Sequence, residues 1–97
     1  MAAAARLGDL STGHGCFPPT ACSGSTASKT YINGIPAQVQ GSSYVVHVCG
    51  KSVHPVRLAS SGSGTVMIEG KAAIRIGDSI SCGDTVGQGS PNTIIGG

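Results

Sequence analysis

Three histidines and four cysteines supply the nitrogen and sulfur donors of this 97-residue chain. Two of the histidines and one of the cysteines follow similar glycines at nearly the same spacing: Gly8 leads to His14, Gly41 to His47 and Gly77 to Cys82. His54 lies seven residues after His47, across what reads as a short hairpin. Three imidazoles and one thiolate suit tetrahedral Zn²⁺. The sequence therefore predicts one structural zinc ion held by His14, His47, His54 and Cys82.

Other arrangements of these donors stay open at this point. Cys49 lies two residues after His47, on the same face of a strand, so Cys49 and Cys16 are rival ligands. Three histidines without Cys82 would leave an open zinc position for water, as in a hydrolase, with Glu69 or an aspartate as the base. The cysteines could instead pair as disulfides in a secreted binding module, which a count of free thiols would detect. Iron could take the place of zinc.

An internal repeat positions the candidate ligands. An offset of 36 residues aligns 30–34 with 66–70, and Gly41-Ser42 with Gly77-Asp78. Residues 89–97 match 62–70, and 6–9 match 75–78. Joining the end of the chain to its start completes a third unit, so the repeat predicts three similar units around a pseudo-threefold axis.

Each unit reads as a short β-hairpin with glycine in its turn. The first strands are predicted over 30–33, 65–69 and 93–95, and the second over 37–40 and 72–76. Asn33-Gly34 is the strongest turn signal. The insertion at 41–61 predicts two more strands, 44–48 and 53–58, whereas 12–27 reads as a loop. The recurring Arg6–Asp9 and Arg75–Asp78 spacing predicts carboxylates that cap turns and pair with the nearby guanidinium.

Composition limits the class of protein. Sixteen glycines, five prolines and only 10% charged residues exclude a helical bundle and disfavour disorder. The six cations are dispersed and the net charge is +2, so nucleic-acid binding has little support. The apolar start is too short for a signal peptide, which predicts synthesis in the cytoplasm. We expect one all-β domain over 1–97, three pseudo-repeated hairpins forming a small cone that a metal ion staples.

The order and spacing of the motifs resemble the PAAR-repeat family, the spike-tip proteins of type VI secretion systems and contractile phage tails. The likeness spans nearly the whole chain and rests on the segments 6–9, 14–15, 33–37, 62–66, 72–78, 82–83 and 89–92. The Pro-Ala-Ala-Arg motif itself is altered: the first copy reads Pro36-Ala37-Gln38, and in the second Arg75 comes one residue late. The resemblance implies a conical fold with zinc near its point, held by His and Cys, which maps onto the four ligands above.

The resemblance also implies a structural function rather than an enzymatic one. Such a tip caps a trimeric β-helical spike, one tip per trimer, and makes transient contact with the target membrane that the spike pierces. Secreted effector cargo is a further expected partner, and the chain resembles a bare tip that leaves the cell with the spike or forms part of a virion tail. We expect its broad base to bind the spike through apolar residues of the first strands: Tyr31, Ile32, Val66, Met67, Ile68, Ile94 and Ile95.

Overall fold

The computed structural model describes residues 2–13, 18–45, 47–49, 52–54 and 57–95; the side chains of 47–49, 52–54, 57 and 82 lie outside this description. The described residues form short antiparallel strands and one 3₁₀ turn, Ser81–Gly83, with no α-helix among them, which confirms the all-β prediction. None of their helical segments has the length and apolar character needed to cross a membrane. The strands are β1 (Ala2–Ala3), β2 (Cys22–Gly24), β3 (Tyr31–Ile32), β4 (Ile35–Pro36), β5 (Ser43–Tyr44), β6 (His47–Cys49), β7 (Ser52–His54), β8 (Arg57–Leu58), β9 (Met67–Ile68), β10 (Lys71–Ala72), β11 (Ser79–Ile80), β12 (Asp84–Thr85) and β13 (Ile94–Ile95).

Three two-stranded ladders form one end of the molecule, which we call the base: β3–β4, β9–β10 and β13–β1. The Asn33-Gly34 turn has φ angles of 56° and 77°, and Glu69-Gly70 has 52° and 81°, the left-handed geometry of a tight two-residue hairpin. The third ladder joins residues from the two ends of the chain, Ala2 opposite Ile95. The predicted completion of one unit from the two ends of the sequence is confirmed.

Behind the base, three chain segments pair with one another around the axis. We call these segments, 4–6, 37–39 and 73–75, the waist. Isolated bridges join all three, so the waist closes into a triangle: Ala4 with Arg75, Arg6 with Ala37 and Val39 with Ala73. The middle residues of the three segments, Ala5, Gln38 and Ile74, are completely buried. Ala5 and Ile74 are apolar, whereas Gln38 is a buried polar residue whose amide forms hydrogen bonds.

The turn that leaves the waist is built alike in all three units. The Arg6 backbone N–H donates to Asp9 Oδ2 over 2.8 Å, and the Arg75 N–H to Asp78 Oδ2 over 2.7 Å. Both aspartates also form ion pairs with the arginine of their own turn, at 3.0 and 2.9 Å. In the middle unit, the Val39 N–H donates to Ser42 Oγ instead, over 2.9 Å. The predicted capping role of the aspartates is confirmed, and a serine hydroxyl replaces the carboxylate where the arginine is absent.

Beyond the waist, six antiparallel segments close into a second tier, which we call the apical ring. The six segments belong to three hairpins that lie around the ring. The residue pairs that join neighbouring segments are Leu10 with Ala21, Cys22 with Tyr44, Tyr44 with Arg57, Ala59 with Ile80, Ile80 with Asp84, and Val86 with Ser11. The prediction that 12–27 is a loop is therefore wrong at β2, where Cys22–Gly24 forms a strand. The β11–β12 hairpin was also not predicted, because its strands have only two residues each and leave no visible alternation.

Two separate apolar clusters form the core. One lies between the base and the waist and contains Ile32, Val39 and Ile95 together with four alanines. The other fills the apical ring around Tyr44, Ile74 and Ile80. The Tyr44 hydroxyl donates to Gln38 Oε1 over 2.8 Å, and Gln38 Nε2 donates to the Arg6 carbonyl over the same distance. The buried amide is thus satisfied at the axis, as buried polar groups must be.

Among the glycines whose surroundings are described, Gly62 tolerates an added methyl group least. A Cβ at this position would lie 2.5 Å from the Ala73 carbonyl oxygen and 3.1 Å from Ile74 Cδ1. Because the nearest atom is backbone, we expect Gly62→Ala to destabilise the fold by about 1–3 kcal/mol. The matched control is Gly24→Ala, whose nearest contact would be Ser43 Oγ at 3.6 Å. Thermal melting of both variants measures the difference, and equal melting temperatures would contradict this close approach.

Candidate metal centre and docking face

The hairpin that carries two of the candidate zinc ligands is present. Strands β6 and β7 pair with His47 opposite His54, Val48 opposite Val53 and Cys49 opposite Ser52. The predicted hairpin between the two histidines is therefore confirmed at the level of backbone and register. The side chains of this hairpin lie outside the described residues, and so do His14 and the rival ligand Cys16.

Cys82 lies in the 3₁₀ turn Ser81–Gly83, between β11 and β12. The turn lies beside β8, the strand that follows the histidine hairpin in the chain: Ala59 bridges to Ile80, and the Leu58 N–H donates to Ser81 Oγ over 3.0 Å. The backbone that carries Cys82 is thus tied to the chain that leaves the hairpin. The Cys82 side chain itself lies outside the description.

The segment that precedes His14 reaches the same side of the apical ring. Ser11 bridges to Val86, and the Thr12 N–H donates to the Thr85 carbonyl over 2.9 Å. The described segments that lead to all four candidate ligands therefore meet in one ring. Three imidazoles and one thiol are a donor set that fits zinc. Among the side chains that are described, no group of three or more His, Cys, Asp and Glu could hold a metal ion.

Asp84 is a residue of this region that the sequence did not single out. Its side chain is buried, with 2% of its surface exposed. Thr12 Oγ1 donates to Asp84 Oδ1 over 3.0 Å, and the Thr85 backbone N–H donates to the same oxygen over 2.8 Å. The signal in the sequence is its position two residues after Cys82, but nothing in the sequence shows its burial.

Cys22 is buried in the apical ring and is a free thiol. Burial raises the pKa of this thiol to about 11, although hydrogen bonds from neighbouring backbone oppose the shift. A thiol with so high a pKa is protonated at neutral pH and is a poor metal ligand. Cys22 thus belongs to the apolar core, where it packs with Tyr44 and Ile80.

The base exposes three large apolar side chains at equivalent positions of the three units. Tyr31, Met67 and Ile94 each begin the first strand of a base hairpin, and they are 59%, 59% and 61% exposed. The other residues predicted for this face point inward: Ile32 and Ile95 are buried, and Val66 and Ile68 pack partly buried against the same cluster. We call Tyr31, Met67 and Ile94 the apolar triad.

Side chains in two of the base turns form hydrogen bonds with a neighbouring unit. The Glu69 carboxylate accepts the backbone N–H groups of Ser28 and Lys29, at 3.2 and 2.9 Å, and the hydroxyl groups of Ser28 and Thr30. At the equivalent turn position, Asn33 Nδ2 donates to Asn92 Oδ1 over 2.8 Å. These contacts hold the loop before Tyr31 and the loop before Ile94 to the neighbouring hairpin.

The Glu69 contacts predict an acid-dependent loss of stability. The backbone N–H groups of Lys29 and Ser28, and then the hydroxyl groups, hold the pKa of Glu69 below its ordinary value. A lowered pKa in the folded state stabilises the protein above the ordinary value of about 4.3, and this contribution is lost as the pH falls through the folded pKa.

This pH dependence is tested by comparing the melting temperatures of the wild type and Glu69→Gln between about pH 7 and pH 3. Glutamine keeps an acceptor oxygen and nearly the same shape, but it cannot titrate. We expect the wild type to melt higher at neutral pH and its advantage to shrink below about pH 4. Two melting curves that stay a constant distance apart over the whole range would be the opposite result.

These features define a class of small protein: three β-hairpin units around one axis, with an apolar triad on the base and histidine and cysteine carried by the opposite tier. The sequence pattern of the PAAR motif matches residues 18–88, and the chain belongs to the PAAR-motif family. The resemblance inferred from the sequence is confirmed.

The chain is also similar to a much larger curated protein, double-stranded DNA deaminase toxin A of Burkholderia cenocepacia (strain H111). The two are 37% identical over 67 residues, which cover 69% of this chain. The same stretch covers only 4% of the toxin, so the similarity concerns a small part of that protein.

Proposed function

We propose that this chain is a spike tip: it caps the end of a trimeric β-helical spike of a contractile injection machine and sharpens it for membrane piercing. The observation that carries this proposal is the apolar triad. Three large apolar side chains repeat around the axis with nearly equal exposure, between 59% and 61%. Exposed apolar surface marks an interface, and its threefold repetition fits a partner with threefold symmetry.

The pseudo-symmetry explains how one chain can cap three subunits. Each unit presents a similar strand and a similar apolar side chain, so each subunit of a trimer meets nearly the same surface. The end of a β-helix leaves strand edges open, and such edges are prone to pair with other chains. A base of three short strand ladders that covers these edges would remove this risk.

Zinc is proposed as a staple at the apical end, held by His14, His47, His54 and Cys82. When bound, the ion would join segments that no large apolar core can hold together in so short a chain. With four protein ligands the site would be closed to water, which fits a structural role and not the hydrolase. The chain's own contribution is to carry the donors on a hairpin, a turn and the segment after Thr12, all of which lead from the apical ring.

The similarity to the toxin supports a proposal about the effector cargo of this chain. That protein is named as a toxin that acts on double-stranded DNA, and the similarity to this chain occupies 4% of it. We propose that the similar stretch serves there as a tip and that a tip of this kind travels with effector cargo. Deaminase chemistry is not proposed for the residues of the present chain.

The test is the mass of the complex with a trimeric β-helical spike protein from the organism that encodes the chain. Light scattering of the purified mixture should give one tip chain per spike trimer, since a single pseudo-threefold base fills the whole end. Three tips per trimer, or two proteins that elute separately at micromolar concentration, would refute the spike-tip function.

A further inference from the structure

We propose that Glu69 is a positioning residue of the docking face: it holds the loop before Tyr31, residues 27–30, in the conformation that the spike binds. This inference rests on the proposed spike-tip function and adds to it a residue outside the apolar triad. It starts from a comparison of the three loops that lead into the triad, 27–30, 63–66 and 90–93. Two of these loops are held by a serine of their own, and the first is held by Glu69 from the neighbouring unit.

The three loops begin in the same way. In each, the backbone N–H of the first residue donates to the carbonyl of an alanine in the waist: Ala27 to Ala37 over 2.9 Å, Ser63 to Ala73 over 2.8 Å and Ser90 to Ala4 over 2.7 Å. All three first residues are buried. Positions 27, 63 and 90 are therefore equivalent in the structure, and so are the residues that follow them.

In two of the loops, the hydroxyl of the first residue accepts the backbone N–H groups of the residues two and three positions later. The distances are 3.2 and 2.8 Å from Thr65 and Val66 to Ser63 Oγ, and 3.2 and 2.9 Å from Asn92 and Thr93 to Ser90 Oγ. Such bonds from a serine to the backbone ahead of it fix a turn. Ala27 has no hydroxyl, so the first unit cannot form this cap.

Glu69 supplies an acceptor to the first loop instead. Its carboxylate accepts the backbone N–H groups of Ser28 and Lys29, at 3.2 and 2.9 Å, and the hydroxyl of Thr30, at 3.0 Å. Lys29 is two residues after position 27, so the N–H at this place in the loop is bound by a side chain in all three units. Thr30 directly precedes Tyr31, and the carboxylate thereby holds the chain that enters the docking face.

The backbone of Glu69 is itself unusual. Its φ angle of 52° lies in the left-handed region, which is uncommon for a residue other than glycine, asparagine or aspartate. A conformation of this kind persists only where the surrounding structure holds it, and it commonly occurs at functional sites. A spike that meets a loop already held in place does not have to order it on binding. The bonds to Glu69 should therefore raise the affinity for the spike.

The test is a double-mutant cycle, with affinity for the trimeric β-helical spike protein measured by titration calorimetry well below the melting temperatures. Glu69→Ala should weaken binding about 3- to 10-fold, the effect expected when a segment must be ordered on binding. In a Tyr31→Ala background the same change should alter affinity by less than about 2-fold, because Glu69 acts through Tyr31. In an Ile94→Ala background the full loss should persist, since Ile94 belongs to another unit.

A rescue variant tests the equivalence of the three loops. Ala27→Ser introduces the hydroxyl that the other two units have at this position, where both serines are buried without difficulty. Ala27→Ser combined with Glu69→Ala should recover most of the wild-type affinity. A folded double variant that binds as weakly as Glu69→Ala alone would overturn the replacement of a serine cap by Glu69.

The outcomes separate this inference from the function on which it rests. A wild-type chain that does not bind the spike overturns both. If Glu69→Ala binds like the wild type, or loses the same factor in both alanine backgrounds, the positioning role is wrong and the spike-tip function stands. If Glu69→Ala does not fold, Glu69→Gln takes its place, because glutamine keeps one acceptor oxygen. Its loss of affinity should then vanish with Tyr31→Ala and persist with Ile94→Ala, and equal losses would overturn the inference.

Discussion

Chelation of zinc from the purified chain is expected to abolish its cooperative unfolding transition or to lower it by tens of degrees. Structural zinc contributes about 10–16 kcal/mol of apparent binding free energy in small domains at neutral pH. A domain of this size has a net stability of only about 5–15 kcal/mol, so loss of the metal removes most of it. We therefore expect about one zinc per chain by elemental analysis and a sharp fall in melting temperature when the metal is removed.

Point variants locate the ligands. Cys82→Ser and His54→Ala should each reduce the zinc content and the melting temperature, because each removes one of four donors. Cys49→Ser is the matched control: Cys49 lies in the same hairpin as His47 and His54, and it is the rival to Cys82. If Cys49→Ser loses zinc and Cys82→Ser keeps it, the ligand set is wrong. If the metal-free wild type melts at the same temperature as the loaded one, zinc is not a staple.

The repeat in the sequence predicted most of the base and the waist, because the same pattern of residues occurs in all three units. Ala4, Ala37 and Ala73 are aligned by it, and all three are completely buried. The turns at Asn33 and Glu69 adopt the same left-handed geometry although only one of them reads as a strong turn signal. Each unit thus supports the interpretation of the others.

The apical ring was harder to predict. Its strands are two or three residues long, too short for the alternation of apolar and polar side chains to be visible. β2 contains Cys22, Ser23 and Gly24, a composition typical of a loop, and it becomes a strand only because β5 pairs with it. The burial of Asp84 and the four bonds to Glu69 likewise depend on contacts between units, which no local pattern in the sequence records.

A charge in the apolar triad is expected to abolish binding to the spike while leaving the fold intact. Tyr31, Met67 and Ile94 already expose more than half of their surface, so an aspartate there remains solvated in the free chain. In the complex the same carboxylate would be buried against an apolar surface without a partner, which is costly. Central contacts of an interface commonly contribute about 2 kcal/mol or more, so each single variant should weaken binding by at least about 30-fold.

The control for these variants is Leu58→Asp. Leu58 is 48% exposed, close to the triad residues in size and exposure, but it lies in β8 of the apical ring. Titration calorimetry with the trimeric spike protein should therefore find wild-type affinity for Leu58→Asp and strongly reduced affinity for Tyr31→Asp, Met67→Asp and Ile94→Asp. Zinc content and melting temperature should be unchanged in the triad variants, because the triad side chains are exposed and lie on the base, whereas the segments that lead to the proposed ligands belong to the apical ring. If Leu58→Asp loses binding and the triad variants keep it, the chain docks through the apical ring, and the base is the end that points away from the spike.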